Sequence, residues 1–155
     1  MAARRKPHAL VVDASVLLAF YLPAEPYKEQ ALSVLAEATA GRLTLLVPTL
    51  ARYEVLNALA RAVRGLRTGA KLSLDEALEI LEAFEALPLE ERSLAGLEEE
   101  ILRLSQAFDR TAYDAAYLAL AQKERVPLLT GDERLYHAVR EKLPWVQWLG
   151  EWRSP

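Results

Sequence analysis

The residues Leu10-Val11-Val12-Asp13-Ala14-Ser15 pass from a buried strand straight into a helix, with one acid at the junction. Leu10 to Val12 is a short apolar run of strand type, and the apolar residues from Ala14 to Leu22 read as a helix that begins at once. Arg4, Arg5 and Lys6 precede this stretch and give it the look of a secretion signal. Asp13 argues against that, because an acid at mid-membrane costs about 2.5–3.5 kcal/mol. The segment is also too short to span a bilayer, and Pro23 ends it. The expectation is a cytoplasmic protein whose first eight residues are flexible.

The same strand-then-helix rhythm recurs along the chain. Pro26 to Ala40 is helical and stops at Gly41, and Leu43 to Val47 is a second strand. A long helix follows from about Thr49 to Arg64, broken by Gly65 and Gly69. Ser73 and Glu76 form a capping box for another helix, with Leu74, Leu78, Leu81 and Phe84 expected on its inner face. Pro88 to Ser93 reads as a weak strand. Leu97, Ile101, Leu104 and Phe108 make one helical stripe, and Ala112 to Glu124 is apolar enough to be buried all round. Val126 to Thr130 is a strand, Asp132 to Lys142 a short helix, and Trp145 to Leu149 a last strand. Strands separated by helices imply a parallel sheet covered on both faces, hence one α/β sandwich domain over residues 1–155.

Composition narrows the chemistry. The 155 residues are 52% hydrophobic and 26% charged, the balance of a folded domain with a core. There is no cysteine, which excludes disulfides and thiolate metal sites, and two histidines are too few for a conventional zinc hydrolase. A net charge of -3 gives no global basic field, so a nucleic acid would need a local patch or a metal ion.

Only five of the 22 acids are aspartate, and three of them are unusually placed. Asp13 ends the first strand, Asp132 follows the strand Leu128-Leu129-Thr130 after one glycine, and Asp114 lies near the start of the buried helix. Ligands of open α/β sheets bind outside the carboxyl ends of the strands, where these acids could converge. Taken singly, each has an ordinary explanation: Asp13 and Asp132 as helix N-caps, Asp114 as the acidic partner in a Thr111 capping box. Together they are harder to dismiss, because unpaired carboxylates on apolar segments need a cation or a proton. A hard, oxygen-liganded ion, Mg²⁺ or Mn²⁺, suits such a donor set.

Four segments, in order and spacing, resemble the motifs of PIN-domain ribonucleases, and most of all the VapC toxins of toxin–antitoxin pairs. They are Val12-Asp13-Ala14-Ser15, Glu54-Val55-Leu56-Asn57-Ala58-Leu59, Tyr113-Asp114-Ala115-Ala116-Tyr117-Leu118-Ala119-Leu120-Ala121 and Thr130-Gly131-Asp132. The resemblance runs from about Ala9 to Leu149. It implies a three-layer sandwich with a five-stranded parallel sheet, and an acidic quartet at Asp13, Glu54, Asp114 and Asp132. It also implies orienting hydroxyls at Ser15 and Thr130, and one or two Mg²⁺ or Mn²⁺ ions per site. The implied substrate is single-stranded or looped RNA, and the implied partners are a second copy in a homodimer and a small VapB-like antitoxin. Leu135 departs from the pattern, since many relatives carry an aromatic three residues after the last acid.

From the residues alone, Glu54, Asn57, Arg61 and Arg64 form one helical stripe that could equally be a solvated face. Asn57, the chain's only asparagine, stands one turn from Glu54 and is a candidate for positioning it. Arg52, Arg61, Arg64, Arg67 and Lys71 make the region locally basic, a candidate phosphate-contacting rim or ordinary surface charge. Trp145, Trp148 and Trp152 could stack bases, but packing on the core is favoured. Three other readings stand beside the toxin: a housekeeping RNA-processing nuclease, a phosphoaspartyl protein and a non-catalytic interaction module. The phosphoaspartyl reading is disfavoured because Ser15 stands where the phosphatase needs its second aspartate.

Overall fold

Five parallel strands form one sheet in the order β3-β2-β1-β4-β5. The computed structural model describes residues 8–23, 25–67, 69 and 71–154. Arg4, Arg5 and Lys6 lie outside the described residues. β1 spans His8–Val12, β2 Leu43–Pro48, β3 Leu89–Arg92, β4 Leu128–Thr130 and β5 Val146–Trp148. The helices are α1 (Ala14–Tyr21), α2 (Lys28–Thr39), α3 (Leu50–Val63), α4 (Leu74–Glu85), α5 (Glu98–Phe108), α6 (Ala112–Glu124) and α7 (Glu133–Val139). His8, expected in the flexible leader, instead opens β1 and pairs with Leu43.

Leu10, Val11 and Val12 are all buried, although neighbouring residues of a strand point to opposite faces. Both faces of the sheet are therefore covered, the condition a parallel sheet requires. α6 lies across β1, β2 and β4 with α5 outside it, while α1 and α2 pack on β4 and β2. Because crossovers are right-handed, connections running outward to β3 and back to β4 place these helix groups on opposite faces. α6 packs so closely because Ala115, Ala116, Ala119 and Ala121 let its backbone approach the sheet.

The chain runs from β1 outward through β2 to β3, then returns to β4 on the other side of β1. That makes the gap between β1 and β4 the switch point of the sheet, where a crevice opens beyond the strand ends. Asp13 follows β1 there, and Gly131 and Asp132 follow β4.

The sequence reading needs corrections at the periphery. The strand expected from Val126 begins at Leu128, and the last strand ends at Trp148, where Leu149 opens a 3-10 turn. α4 has the expected Ser73–Glu76 capping box, with both reciprocal bonds made. Of its four expected inner residues Phe84 is buried and Leu81 packs against the core, but Leu74 and Leu78 are 62% and 52% exposed and Ala77 is buried instead. α4 meets the rest of the fold mainly through α3 at the sheet's edge, so one narrow stripe is buried and its neighbours stay wet. Leu135, the departure from the family pattern, is fully buried, and the adjacent Tyr136 stacks on Trp148. Phe84→Ala should therefore lower the unfolding free energy by about 3–5 kcal/mol. Leu78→Lys should change it by less than about 0.5 kcal/mol in denaturant titrations.

Candidate active site

Asp13 is 7% exposed, an acid nearly sealed into the apolar centre of the molecule. Its position follows from the local sequence: it ends β1 and caps α1, with Oδ1 accepting from the Val16 N–H at 3.4 Å. The Ser15 hydroxyl donates to Oδ1, and the fully buried Thr130 hydroxyl donates to Oδ2 at 2.5 Å. Ser15 Oγ in turn accepts the Gly131 N–H at 2.8 Å, tying the end of β1 to the end of β4. A Cβ at position 131 would come within 3.1 Å of that hydroxyl, so the close approach favours glycine. Burial pushes the Asp13 carboxyl up to about 6, against the opposing pull of these hydrogen bonds, and the Asp132 charge adds to the rise.

Three further acids, each on a different element, lie close enough to feel one another's charge. Asp132 caps α7, its Oδ1 accepting from the Arg134 and Leu135 N–H groups at 2.9 and 3.1 Å. Asp114 lies in the first turn of α6, raised by burial, lowered by Arg110 and raised again by the Asp132 charge. Thr111 caps α6 and accepts the Asp114 N–H, but the reciprocal half of a capping box is replaced by an ion pair. Arg110 Nε and Nη2 both donate to Asp114 Oδ2, at 3.2 and 3.1 Å. Glu54, on α3, is likewise raised by burial, with the Asp114 charge contributing. The four acids thus form one electrostatically linked set, Asp13 to Asp132, Asp132 to Asp114, and Asp114 to Glu54.

Two contacts in this set were not read from the sequence. Glu54 Oε1 accepts a 2.6 Å hydrogen bond from Tyr117, a nearly fully buried residue one turn beyond Asp114 on α6. Asn57, expected beside Glu54, lines the same cavity, but Tyr117 is the residue that holds the carboxylate. A hydroxyl in an otherwise apolar helix, three residues from an acid, was the available signal. Arg110, four residues before Asp114, was visible as an ion-pair spacing. Its backbone is pinned by Ser105, whose hydroxyl donates to the Arg110 carbonyl and whose carbonyl accepts the Arg110 N–H.

Of the basic residues, Arg61 and Arg67 line the cavity beside Glu54, while Arg52 pairs with Glu91 and Glu85, and Arg64 borders an apolar groove between α3 and α4. Arg67 is itself paired with Glu25. Trp148 packs edge-on against Tyr27 and stacks on Tyr136. Among the described residues, no three Asp, Glu or His side chains are gathered tightly enough to hold an ion as they stand.

A family model described as PIN domain matches residues 10–141, spanning α1, the crevice and α7. The chain belongs to the PIN-domain family. Ribonuclease VapC3 of Pyrobaculum aerophilum is 40% identical over 140 residues, covering 87% of this chain and 95% of the relative. That similarity assigns this PIN-domain chain to the VapC type. The crystal structure of PAE2754 from Pyrobaculum aerophilum superimposes with a TM-score of 0.59 over 92% of each chain, at 22% identity, and shares the fold. The PIN-type sheet, all parallel and five-stranded, agrees with the architecture expected from the sequence. Among the described residues, no helix is long and apolar enough to cross a membrane.

The Asp13 shift has a measurable consequence. An acid whose folded value of about 6 exceeds its ordinary value of 3.8 binds its proton more tightly when native. Stability in chelator should therefore fall as pH rises from about 4 to 6 and remain lower above that range. Asp13→Asn keeps the cap and removes the charge. It should flatten this decline and melt higher than the parent at pH 7.5 in chelator, by a gain of up to about 3 kcal/mol.

Proposed function

We propose that this chain is a metal-dependent endoribonuclease that hydrolyses RNA phosphodiester bonds, and that it is the toxin of a toxin–antitoxin pair. The observation that carries the reading is the buried Asp13 carboxylate at the β1/β4 switch point, linked in charge to Asp132, Asp114 and Glu54. Such a set suits a hard divalent cation, because its donors are all oxygen and no thiolate or imidazole competes. We assign Mg²⁺ or Mn²⁺, one or two ions, to Asp13, Asp114, Asp132 and Glu54. When bound, the cation supplies charge neutralisation at the scissile phosphate and a more acidic water.

The chain's own residues set the stage for that chemistry. The Ser15 and Thr130 hydroxyls fix both oxygens of Asp13, leaving it one orientation. Tyr117 holds Glu54 by one oxygen, and burial makes that carboxylate a stronger base than an exposed glutamate. Glu54 is thus suited to take a proton from water. Arg110 offsets part of the charge on Asp114, and we assign its guanidinium as a contact for a phosphate oxygen. Phosphodiester hydrolysis needs positioning and charge neutralisation more than a covalent nucleophile.

The toxin reading draws on the likeness to Ribonuclease VapC3, and with it we infer a VapB-like antitoxin partner and action in the cytoplasm. A homodimer is supported by the α3–α4 groove of ≈ 350 Å³, which leaves Leu56, Leu74 and Leu78 exposed. Arg64, just past α3, borders the groove, and Glu79 and Glu82 lie on α4, so unlike charges are available to a self-complementary two-fold contact.

Purified protein freed of any partner should cut single-stranded RNA with Mg²⁺ or Mn²⁺ and stop when a chelator is added. Asp114→Asn should fall to the chelator background. Expression in a bacterium should arrest growth, and Asp13→Asn should relieve the arrest while accumulating as folded protein. Chelator-resistant cleavage, or a fully active Asp114→Asn protein, contradicts the reading.

A further inference from the structure

Tyr53 and Tyr113 each stand immediately before an acid of the crevice, Glu54 and Asp114, and both line the cavity of ≈ 470 Å³ beside Glu54. They are 66% and 61% exposed. Among the described residues, neither ring meets another aromatic and neither hydroxyl has a hydrogen-bond partner. Exposed tyrosines scattered singly need no explanation, but two on the wall of one cavity call for one. The rest of the lining is divided. Leu18 and Leu50 supply apolar floor, Asn57 an amide with two donors and an acceptor, and Arg61 a cation. Among the described residues, no carboxylate lies within ion-pair distance of Arg61.

Without its cation an acid-rich crevice repels a polyanion, so contacts beside the acids are needed for affinity that does not depend on the metal. Aromatic stacking is indifferent to that repulsion, because it acts on the uncharged base. Arg61 lies seven residues from Glu54 on α3, about 10 Å along the helix. A phosphate held there is a neighbour of the one near Glu54, not the same group.

We propose that this cavity holds one unpaired nucleotide of the RNA next to the cleavage point, its base against Tyr53 and Tyr113, its edge at Asn57 and a flanking phosphate at Arg61. The inference rests on the nuclease reading of the adjoining acids. It gives the expected preference for single-stranded RNA a physical basis, since a paired base must first be unpaired and unstacked to enter the cavity. Stacking tolerates any base, so the site demands an unpaired nucleotide more than a particular one.

Binding can be read apart from cleavage in an Asp13→Asn background, by fluorescence anisotropy of a labelled single-stranded oligoribonucleotide. Tyr53→Ala and Tyr113→Ala should each weaken binding about tenfold. Tyr53→Phe and Tyr113→Phe, which keep the ring, should restore it to within about twofold. The same sequence as a duplex should bind more weakly and ignore the tyrosine changes, and Arg61→Gln should reduce the salt dependence. In the active protein, the alanine variants should raise KM more than they lower kcat. Both tyrosines are exposed, so thermal melts should match the parent. Alanine variants that bind the single strand as tightly as the parent overturn the proposal, as expected if the cavity serves a protein tail instead. Equal sensitivity of single strand and duplex overturns it too. Failure of the unmodified protein to cut RNA is a separate result, and it counts against the nuclease reading alone.

Discussion

Sealing the Asp13 carboxylate into the end of the central strand constrains everything around it. A buried charge must be hydrogen-bonded, paired or protonated, and this one sits where the strand order reverses and a crevice must open. The fold answers with two hydroxyls and a helix N-terminus, and those groups bring their own requirements. Ser15 can bridge to β4 because residue 131 has no side chain, and Thr130 must be fully buried to reach Oδ2. Residues far apart in sequence are thus bound to one oxygen pair. Even so, burial outweighs the hydrogen bonds and keeps the acid well above its ordinary range.

The other acids are arranged differently, each half-exposed or at a helix start and each held by its own partner. Tyr117 takes Glu54, Arg110 takes Asp114, and the α7 N–H groups take Asp132. Helix capping and metal ligation are therefore not rival explanations of Asp13 and Asp132. At Asp132 both cap bonds fall on Oδ1 and leave Oδ2 to a cation, whereas at Asp13 two bonds fill Oδ1 and the Thr130 bond leaves one Oδ2 lone pair. The tyrosines beside Glu54 and Asp114 extend the same economy, because the turns that aim the acids inward leave their neighbours facing out.

Much of this was legible in the sequence, for a physical reason. β1, α1 and α6 are apolar enough that their boundaries, and the isolation of Asp13 and Asp114 within them, stand out against the background. The order of the four motifs then carried the fold and the acid positions. α4 misled in part because Leu74 and Leu78 share a helical stripe with Leu81, yet burial depends on what lies opposite, and α3 covers only part of that stripe. Tyr117 was hidden for the opposite reason. In the buried middle of α6 its hydroxyl looks like packing until its partner, Glu54, is brought from 63 residues away. Glu54 itself lies on a polar stripe that alone reads as solvated surface.

We read the buried Asp13 and its three neighbours as a cation site. Anomalous diffraction at the manganese edge, from crystals of the unmodified protein equilibrated with Mn²⁺, tests it most directly. The account predicts a peak in contact with Asp13 and at least one of Asp114, Asp132 and Glu54, and no such peak in Asp13→Asn crystals. Manganese bound only at surface acids such as Glu79 or Glu82, with none at Asp13, would contradict it.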